Sequence, residues 1–356
     1  MQNKRKIIND PVLGFISIPS ELLYDIIQHP YFQRLNRIKQ LGMSYMVYPG
    51  SQHTRFLHSI GAMHLMEEAL NQLKGKGIEI SQEEYQSVLA TILLHDVGHA
   101  PFSHVLENLF TEGISHEDIS LEMMKQINRE YGGQLDLSID IFRNNYHKKF
   151  LHQLVSSQLD MDRLDYLMRD CFHTGVVEGA VGTERIIKML NIWNDNLCVE
   201  AKGVYSIEKF LIARRIMYWQ VYYHKTSVAA ERVLINLLKR AVDLTKSGDK
   251  LFAPYWVQYF LQHKATYTDF ENNGPALQNY AKFDDTDIFS IIKCWEDHPD
   301  KILSLLSKCI TDRHLFKVKI SESSVDQDFI EDLETQYMRE FGITKEEAKY
   351  LHSEVA

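Results

Sequence analysis

The stretch from Ser81 to His99 constrains this chain more than any other. Ser81-Gln82-Glu83-Glu84 has the form of a capped helix start, and Tyr85, Val88, Leu89, Ile92 and Leu93 follow at helical spacing. That stripe marks a buried helix. It runs directly into His95-Asp96 and is ended by Gly98 and Pro101. Ligand-type side chains therefore sit at the C-terminal end of a buried helix, a rigid place from which to hold an ion.

Helical signals dominate the first 245 residues. Ser20-Glu21 opens a short amphipathic run to Ile27, closed by Pro30, and residues 32–41 repeat the pattern until Gly42. A further helix is predicted to begin near Ser103 and to carry His104 and Glu107, three apart and so on one face. Others cover residues 117–131 and 151–170, and a long one runs from 206 to about 245. Asn194-Asp195-Asn196 and the residues after it predict a small hairpin. Beyond Ser247-Gly248-Asp249 the texture changes to more helix, a β-rich segment at 315–320 and a charged helical tail. The expected architecture is mainly α: a multi-helix domain with small β-hairpins over residues 1–250, then a smaller α+β region over 251–356.

With 45% hydrophobic residues in 356, the chain can bury a core without staples. Cys171, Cys198, Cys294 and Cys309 show no CxxC and no framework spacing, so a reduced cytoplasmic protein is expected. The N-terminus has no apolar h-region, and no stretch has the roughly 20 apolar residues a membrane span needs. A net charge of −9 argues against a broad nucleic-acid footprint.

His58, in Arg55-Phe56-Leu57-His58-Ser59, stands 37 positions before His95. Asp162 lies in Asp160-Met161-Asp162-Arg163-Leu164-Asp165-Tyr166. His95 and Asp96 are about 100° apart on a helix, yet at its end both can converge on one ion. His58 and Asp162 would arrive from other helices, as in sites built inside helical bundles. Imidazole and carboxylate together suit a divalent ion of hard-to-borderline character. Taken singly, an acid here is better read as solvated or paired with Arg163 or Arg169, and a lone histidine as a satisfied core residue. The histidines cluster, however: His95, His99, His104 and His116 fall within 22 positions. Buried imidazoles cost free energy unless satisfied, so the group as a whole predicts a polar chamber.

Taken together, these residues resemble the HD-domain phosphohydrolases. More narrowly they resemble the deoxynucleoside triphosphate triphosphohydrolases, a group that includes a mammalian enzyme with SAM and HD domains. The resemblance runs through Asn9-Asp10-Pro11, Gln33-Arg34-Leu35, Lys39-Gln40-Leu41-Gly42, Tyr48-Pro49-Gly50 and Arg55-Phe56-x-His58-Ser59. It continues in His95-Asp96-x-Gly98-His99-x-Pro101-Phe102-Ser103-His104, His116-Glu117, Asp162-Arg163-x-Asp165-Tyr166-x-x-Arg169-Asp170-Cys171 and Tyr222-x-His224-Lys225, covering roughly residues 8–230. It implies an HD-domain multi-helix core and metal-dependent release of deoxynucleoside and intact triphosphate from a dNTP.

By position, the resemblance makes His58, His95, Asp96 and Asp162 the ligands of one divalent ion. Mn, Mg, Fe, Ni and Zn all suit such a set. His116 matches the catalytic histidine and Glu107 the acid that supports it. Arg55, Arg163 and Lys225, with His99 and His104, would meet the phosphates. Tyr166 would stack under the deoxyribose, Asp170 and Arg214 would read the 3′-hydroxyl, and Tyr222 joins the substrate-binding set. Gln40 and Leu41 match positions that touch the base and crowd the 2′ position.

The chain departs from the mammalian pattern at several positions. Tyr223 stands where the mammalian enzyme has a base-contacting glutamine, and Tyr218 and Trp219 where it is more basic. Gln28 and Asn36 stand where it has the Asp and Arg of its effector site, and a SAM domain is not expected ahead of the HD residues. The expected partners are a nucleotide substrate and, by analogy with related enzymes, further copies of the chain in a dimer or tetramer. Membrane association is not expected and nucleic-acid binding is disfavoured. Two other readings compete: another HD phosphohydrolase acting on nucleoside monophosphates, ribonucleotides or cyclic nucleotides, and a non-catalytic regulator that binds nucleotide or single-stranded nucleic acid.

Overall fold

The helix Arg55–Gly75 lies at the heart of the molecule. Six consecutive residues, His58 to Met63, are buried, so it is covered on every side. It packs against Gln82–Leu94 and against Met161–Thr174, and the three together bring the site residues to one place. The computed structural model describes residues 6–103, 107–321 and 325–354, with 107 and 108 described by their backbone alone.

The helix starts follow local chemistry. Ser20 caps Glu21–Gln28 by accepting from Leu23 N, and Asp160 caps Met161–Thr174 by accepting from Arg163 N. Gln82–Leu94 has the full reciprocal cap, with Ser81 Oγ accepting from Glu84 N and Glu84 accepting from Ser81 N.

Only two sheets occur among the described residues, each an antiparallel pair: Ile7–Asp10 with Gly14–Ser17, and Leu190–Trp193 with Asn196–Val199. Asn194 and Asp195 both take positive φ at the second turn, which is what a two-residue hairpin demands and what these residue types tolerate. The mainly α fold with small hairpins is as expected. No helix of the described residues is long and apolar enough to cross a membrane.

Several predicted elements differ. The run 32–41 is helical only over Pro30–Arg34 and tightens to a 3-10 turn at Leu35–Arg37. Lys39 is instead drawn into a bridge with Thr54. The 151–170 helix is two, Lys149–Val155 and Met161–Thr174, because Asp160 turns back to accept from Ser157 N. The 206–245 helix is interrupted by a π-helical segment, Tyr218–Tyr222, between Val204–Met217 and Lys225–Lys246. The helix expected from Ser103 begins, among the described residues, at Glu107; Phe102 and Ser103 have positive φ instead. Residues 315–320 form no strand: Leu315 and Phe316 pack on the core, and no neighbouring segment offers them a ladder. Among the described residues, the region after 251 is therefore helical rather than α+β.

That region is joined closely to the part before it. Arg34, fully buried, donates to the carbonyls of Phe283 and His99, and Tyr280 Oη donates to the carbonyl of Gly98. Asp285 accepts from Lys39 N and Phe102 N. The turn after His95-Asp96 is thus braced by residues 280–285, and Asp285 holds Phe102 in its uncommon left-handed conformation.

Candidate active site

His58 and His95 each have one ring nitrogen fixed. His58 Nδ1 donates to Asp165 Oδ2 at 2.8 Å, and His95 Nδ1 donates to the carbonyl of Ile92 at 2.6 Å. Both Nε2 atoms are thereby left over, each able to present a lone pair to an ion once deprotonated. Both are buried, and neither has a hydrogen-bond partner among the described residues. Asp162 Oδ1 lies 3.1 Å from His58 Nε2 and 3.6 Å from His95 Nε2, off the hydrogen-bond direction. Asp96 Oδ1 lies 3.3 Å from His95 Nε2. Buried polar atoms are rarely orphaned, and two imidazole nitrogens converging with two carboxylates fit a divalent cation that displaces their protons. These four residues could hold one.

The support behind His58 is a chain of buried charges. Asp165 takes both Arg169 Nε and Nη2 at 2.9 Å, and Arg169 Nη1 reaches Asp10 Oδ2 at 2.7 Å. Burial pushes the Asp165 carboxyl up, yet Arg169 and His58 hold it below its usual range. Burial likewise opposes charge on His58, and the Asp162 and Asp165 carboxylates outweigh it, holding that imidazole at about 10. Gly61 makes room for this chain: a Cβ there would lie 2.1 Å from both Arg169 Nη2 and Asp165 Oδ1.

Gly98 does the same for the next element. A Cβ would meet Ser120 N at 2.3 Å and the His116 carbonyl at 2.5 Å, so only glycine lets the helix His116–Glu130 dock against the His95-Asp96 turn. Ser120 Oγ ties them, accepting from Gly98 N and donating to the His95 carbonyl. The close approach stacks His116 on His99, ring centroids 3.9 Å apart. Asp96, His99 and His116 form a second convergent group beside the first. Burial and the nearby Arg55 push His99 down to about 4, so its ring is neutral at pH 7.

A cavity of about 780 Å³ opens over these groups, within the range of nucleotide-sized ligand sites. Asp96, His99, His116, Asp162, Gln40, Leu41, Arg55, Arg163, Tyr166, Asp170 and Tyr222 all line it. Arg55 is committed inside the protein, donating to Asp96 Oδ2 and to Ser103 Oγ. Asp170 is also engaged, by Tyr222 Oη and His53 Nε2 at 2.7 Å each. Arg163 is half-buried, its Nε donating to the Ser157 carbonyl. Burial and the Asp162 carboxylate raise the Tyr166 hydroxyl.

The remaining sequence candidates divide. Arg214 is half-buried with its guanidinium over the Tyr218 ring, and Lys225 is exposed at the start of its helix; neither is among the lining residues. His104 lies outside the described residues, as does the side chain of Glu107. Sequence reasoning paired the acids of this helix with Arg163 or Arg169, as Asp165 and Arg169 do, but gave no role to Asp10 or to Glu231, Arg232, Ile235 and Lys239, the last four forming a further wall of the cavity. Asp10, Asp165 and Arg169 fell inside the motifs and could have been found as a buried acid–base set. The helix residues gave no signal beyond an ordinary amphipathic face.

The sequence matches the model of the HD domain over residues 55–170 and that of the HD associated region over residues 181–253. It is 33% identical over 324 residues to YwfO, an uncharacterized protein of Bacillus subtilis, which covers 88% of this chain and 72% of that protein. Human deoxynucleoside triphosphate triphosphohydrolase SAMHD1 is 29% identical over 316 residues, 75% of this chain but only 50% of the human protein. The crystal structure of a phosphohydrolase from Bacteroides thetaiotaomicron matches with a TM-score of 0.95 and 56% identity, covering 98% of this chain and 86% of that one. Buried imidazoles and carboxylates that could hold a divalent ion, beneath a nucleotide-sized cavity, agree with these matches: the chain belongs to the HD-domain phosphohydrolases.

Proposed function

We propose that the protein hydrolyses deoxynucleoside triphosphates to deoxynucleoside and inorganic triphosphate, with His58, His95, Asp96 and Asp162 holding one divalent ion. The observation that carries this reading is the pair of buried Nε2 atoms, with no hydrogen-bond partner among the described residues, converging on carboxylates beside the cavity. When bound, the ion supplies Lewis-acid polarisation of the α-phosphoryl group. The similarity to SAMHD1, a deoxynucleoside triphosphate triphosphohydrolase, supports the substrate class.

The chain's own residues do the rest. Arg163 faces the cavity as a forked cation suited to phosphate oxygens. Arg55 keeps Asp96 ionised and aimed while still lining the cavity. His116 Nδ1 or Nε2 gives a proton to the leaving 5′-oxygen as water attacks the α-phosphorus, with Glu107 as its orienting acid. The neutral His99 ring stacked on it fixes the plane of that imidazole. Asp170, held from two sides, presents a fixed acceptor for the 3′-hydroxyl, and Tyr166 a face for the sugar.

Incubating the Mn- or Mg-loaded protein with each dNTP and rNTP and resolving products by chromatography tests the reading. Deoxynucleoside with inorganic triphosphate is expected. Monophosphate or diphosphate products, or hydrolysis of ribonucleotides or cyclic nucleotides instead, would replace it with another phosphohydrolase activity. Exposed Tyr205, Leu211, Ile212 and Trp219 support assembly of further copies through this face, which light scattering on the purified protein tests.

A further inference from the structure

The cavity extends past the residues so far given a role. The helix Lys225–Lys246 packs against the turn Gly42–Met46, immediately after Gln40 and Leu41, and presents Glu231, Arg232 and Ile235 to the cavity. Positions 231 and 235 are one turn apart and 232 lies beside them, so all three share a face. Two of these side chains are conspicuously incomplete. Glu231 is half-buried and makes no hydrogen bond or ion pair among the described residues; burial pushes its carboxyl up to about 7, with Arg232 opposing the rise. Arg232 Nε is buried with no hydrogen-bond partner, and so is Gln40 Oε1 across the turn.

A carboxylate and a guanidinium that line one cavity without pairing to each other keep their hydrogen-bonding capacity for a ligand. The ligand must bring donors to the first and acceptors to the second, side by side. Among the four bases only guanine has two adjacent donors, N1–H and the N2 amino group, to match both oxygens of a carboxylate. Its O6 and N7 are the acceptor pair that a guanidinium recognises in a forked contact. Adenine and cytosine offer one amino donor beside an acceptor, and thymine a single N–H between two carbonyls. Leu41 and Ile235 supply apolar faces for the ring.

We propose that the helix Lys225–Lys246 is the base-reading wall of this cavity and that Glu231 and Arg232 make it select guanine. The proposal rests on the nucleotide reading of the site and adds the base to it.

The test compares kcat/KM for the four dNTPs and for dITP, which lacks the N2 amino group, in the wild-type protein and in Glu231→Gln. The wild type is expected to favour dGTP over the other three natural substrates and over dITP by roughly 10- to 100-fold. Glu231→Gln is expected to lose that preference, with dGTP turnover falling about 10-fold or more further than dATP turnover. Circular dichroism and a thermal melt show that the variant folds. The proposal is overturned if the wild type does not prefer dGTP, or if it treats dITP and dGTP alike, neither of which depends on a variant. An equal loss on all four substrates in Glu231→Gln overturns it as well. If no nucleotide releases triphosphate, the phosphohydrolase reading has failed separately. Equilibrium binding of dGTP and dATP to the metal-free protein then decides the wall alone: equal affinities overturn it, tighter dGTP binding lost in Glu231→Gln supports it.

Discussion

Beneath the floor of the cavity Asp165 is wholly buried and receives His58 together with Nε and Nη2 of Arg169; at its outer wall Glu231 is half-buried and receives nothing among the described residues. The two carboxylates differ in consequence. Asp165 is held below its usual range by its partners, whereas burial leaves Glu231 at about 7. The floor is complete on its own and fixes ring orientation before any ligand arrives, so its geometry is set by the protein. The wall leaves donors and acceptors open, so its geometry is finished by what binds.

If the floor is the pre-set half, changes there should be severe and should strike the ion first. Asp96→Asn is expected to abolish both metal binding and turnover, since it removes a ligand and leaves Arg55 without its anion; elemental analysis beside an activity assay checks both together. His116→Ala should retain the ion while turnover falls roughly 100-fold or more. Full activity in that variant would remove His116 from the chemistry.

Asp165→Asn should weaken metal affinity about 10- to 100-fold, the usual effect of losing a partner behind a ligating histidine, as read by chelator competition. Asp300→Asn is the matched control. It breaks the partly buried pair with Arg240 in the C-terminal half and should lower stability by about 1 kcal/mol or less without moving metal affinity. Equal metal loss in both variants would erase the distinction between floor and scaffold.

The floor also sets a pH signature. His58 is raised to about 10 in the folded metal-free protein, from 6.5. Its contribution to stability is fully present below pH 6.5 and is lost as pH rises towards 10. An ion at Nε2 needs the deprotonated ring, so metal affinity should climb over the same window. Thermal melts of metal-free and metal-loaded protein should diverge with rising pH; parallel curves would mean that His58 is not proton-linked to the site.

How far the site could be read in advance follows the same division. His95 and Asp96 were legible as candidates because helix signals placed them at the end of a buried helix, whereas His58 and Asp162 were joined to them only by the family resemblance. The capped starts at Ser20 and Ser81 were equally plain. The break at Tyr218–Tyr222 was not, since a π-helical segment needs neither proline nor glycine and the apolar spacing continues through it. Tyr280 and Asp285 brace the His95–Ser103 turn across more than 180 residues of sequence, and Arg34 across 65, which no local pattern encodes. Glu231 and Arg232 were hidden differently. On a long helix with Lys225 and Lys239 nearby they carry no local signal, and the packing of that helix on Gly42–Met46 is what brings them to the cavity.

Asp10 carries a consequence for how the protein is handled. It sits in the turn of the first hairpin, capping Val12 N and Leu13 N with one oxygen and holding Arg169 with the other. A proteolytic nick or a fused tag that lifted this hairpin would leave Arg169 with one anion instead of two, and the slack would reach His58 through Asp165. The damage would register as an ion that leaches out on dialysis, in a preparation whose helices all look intact.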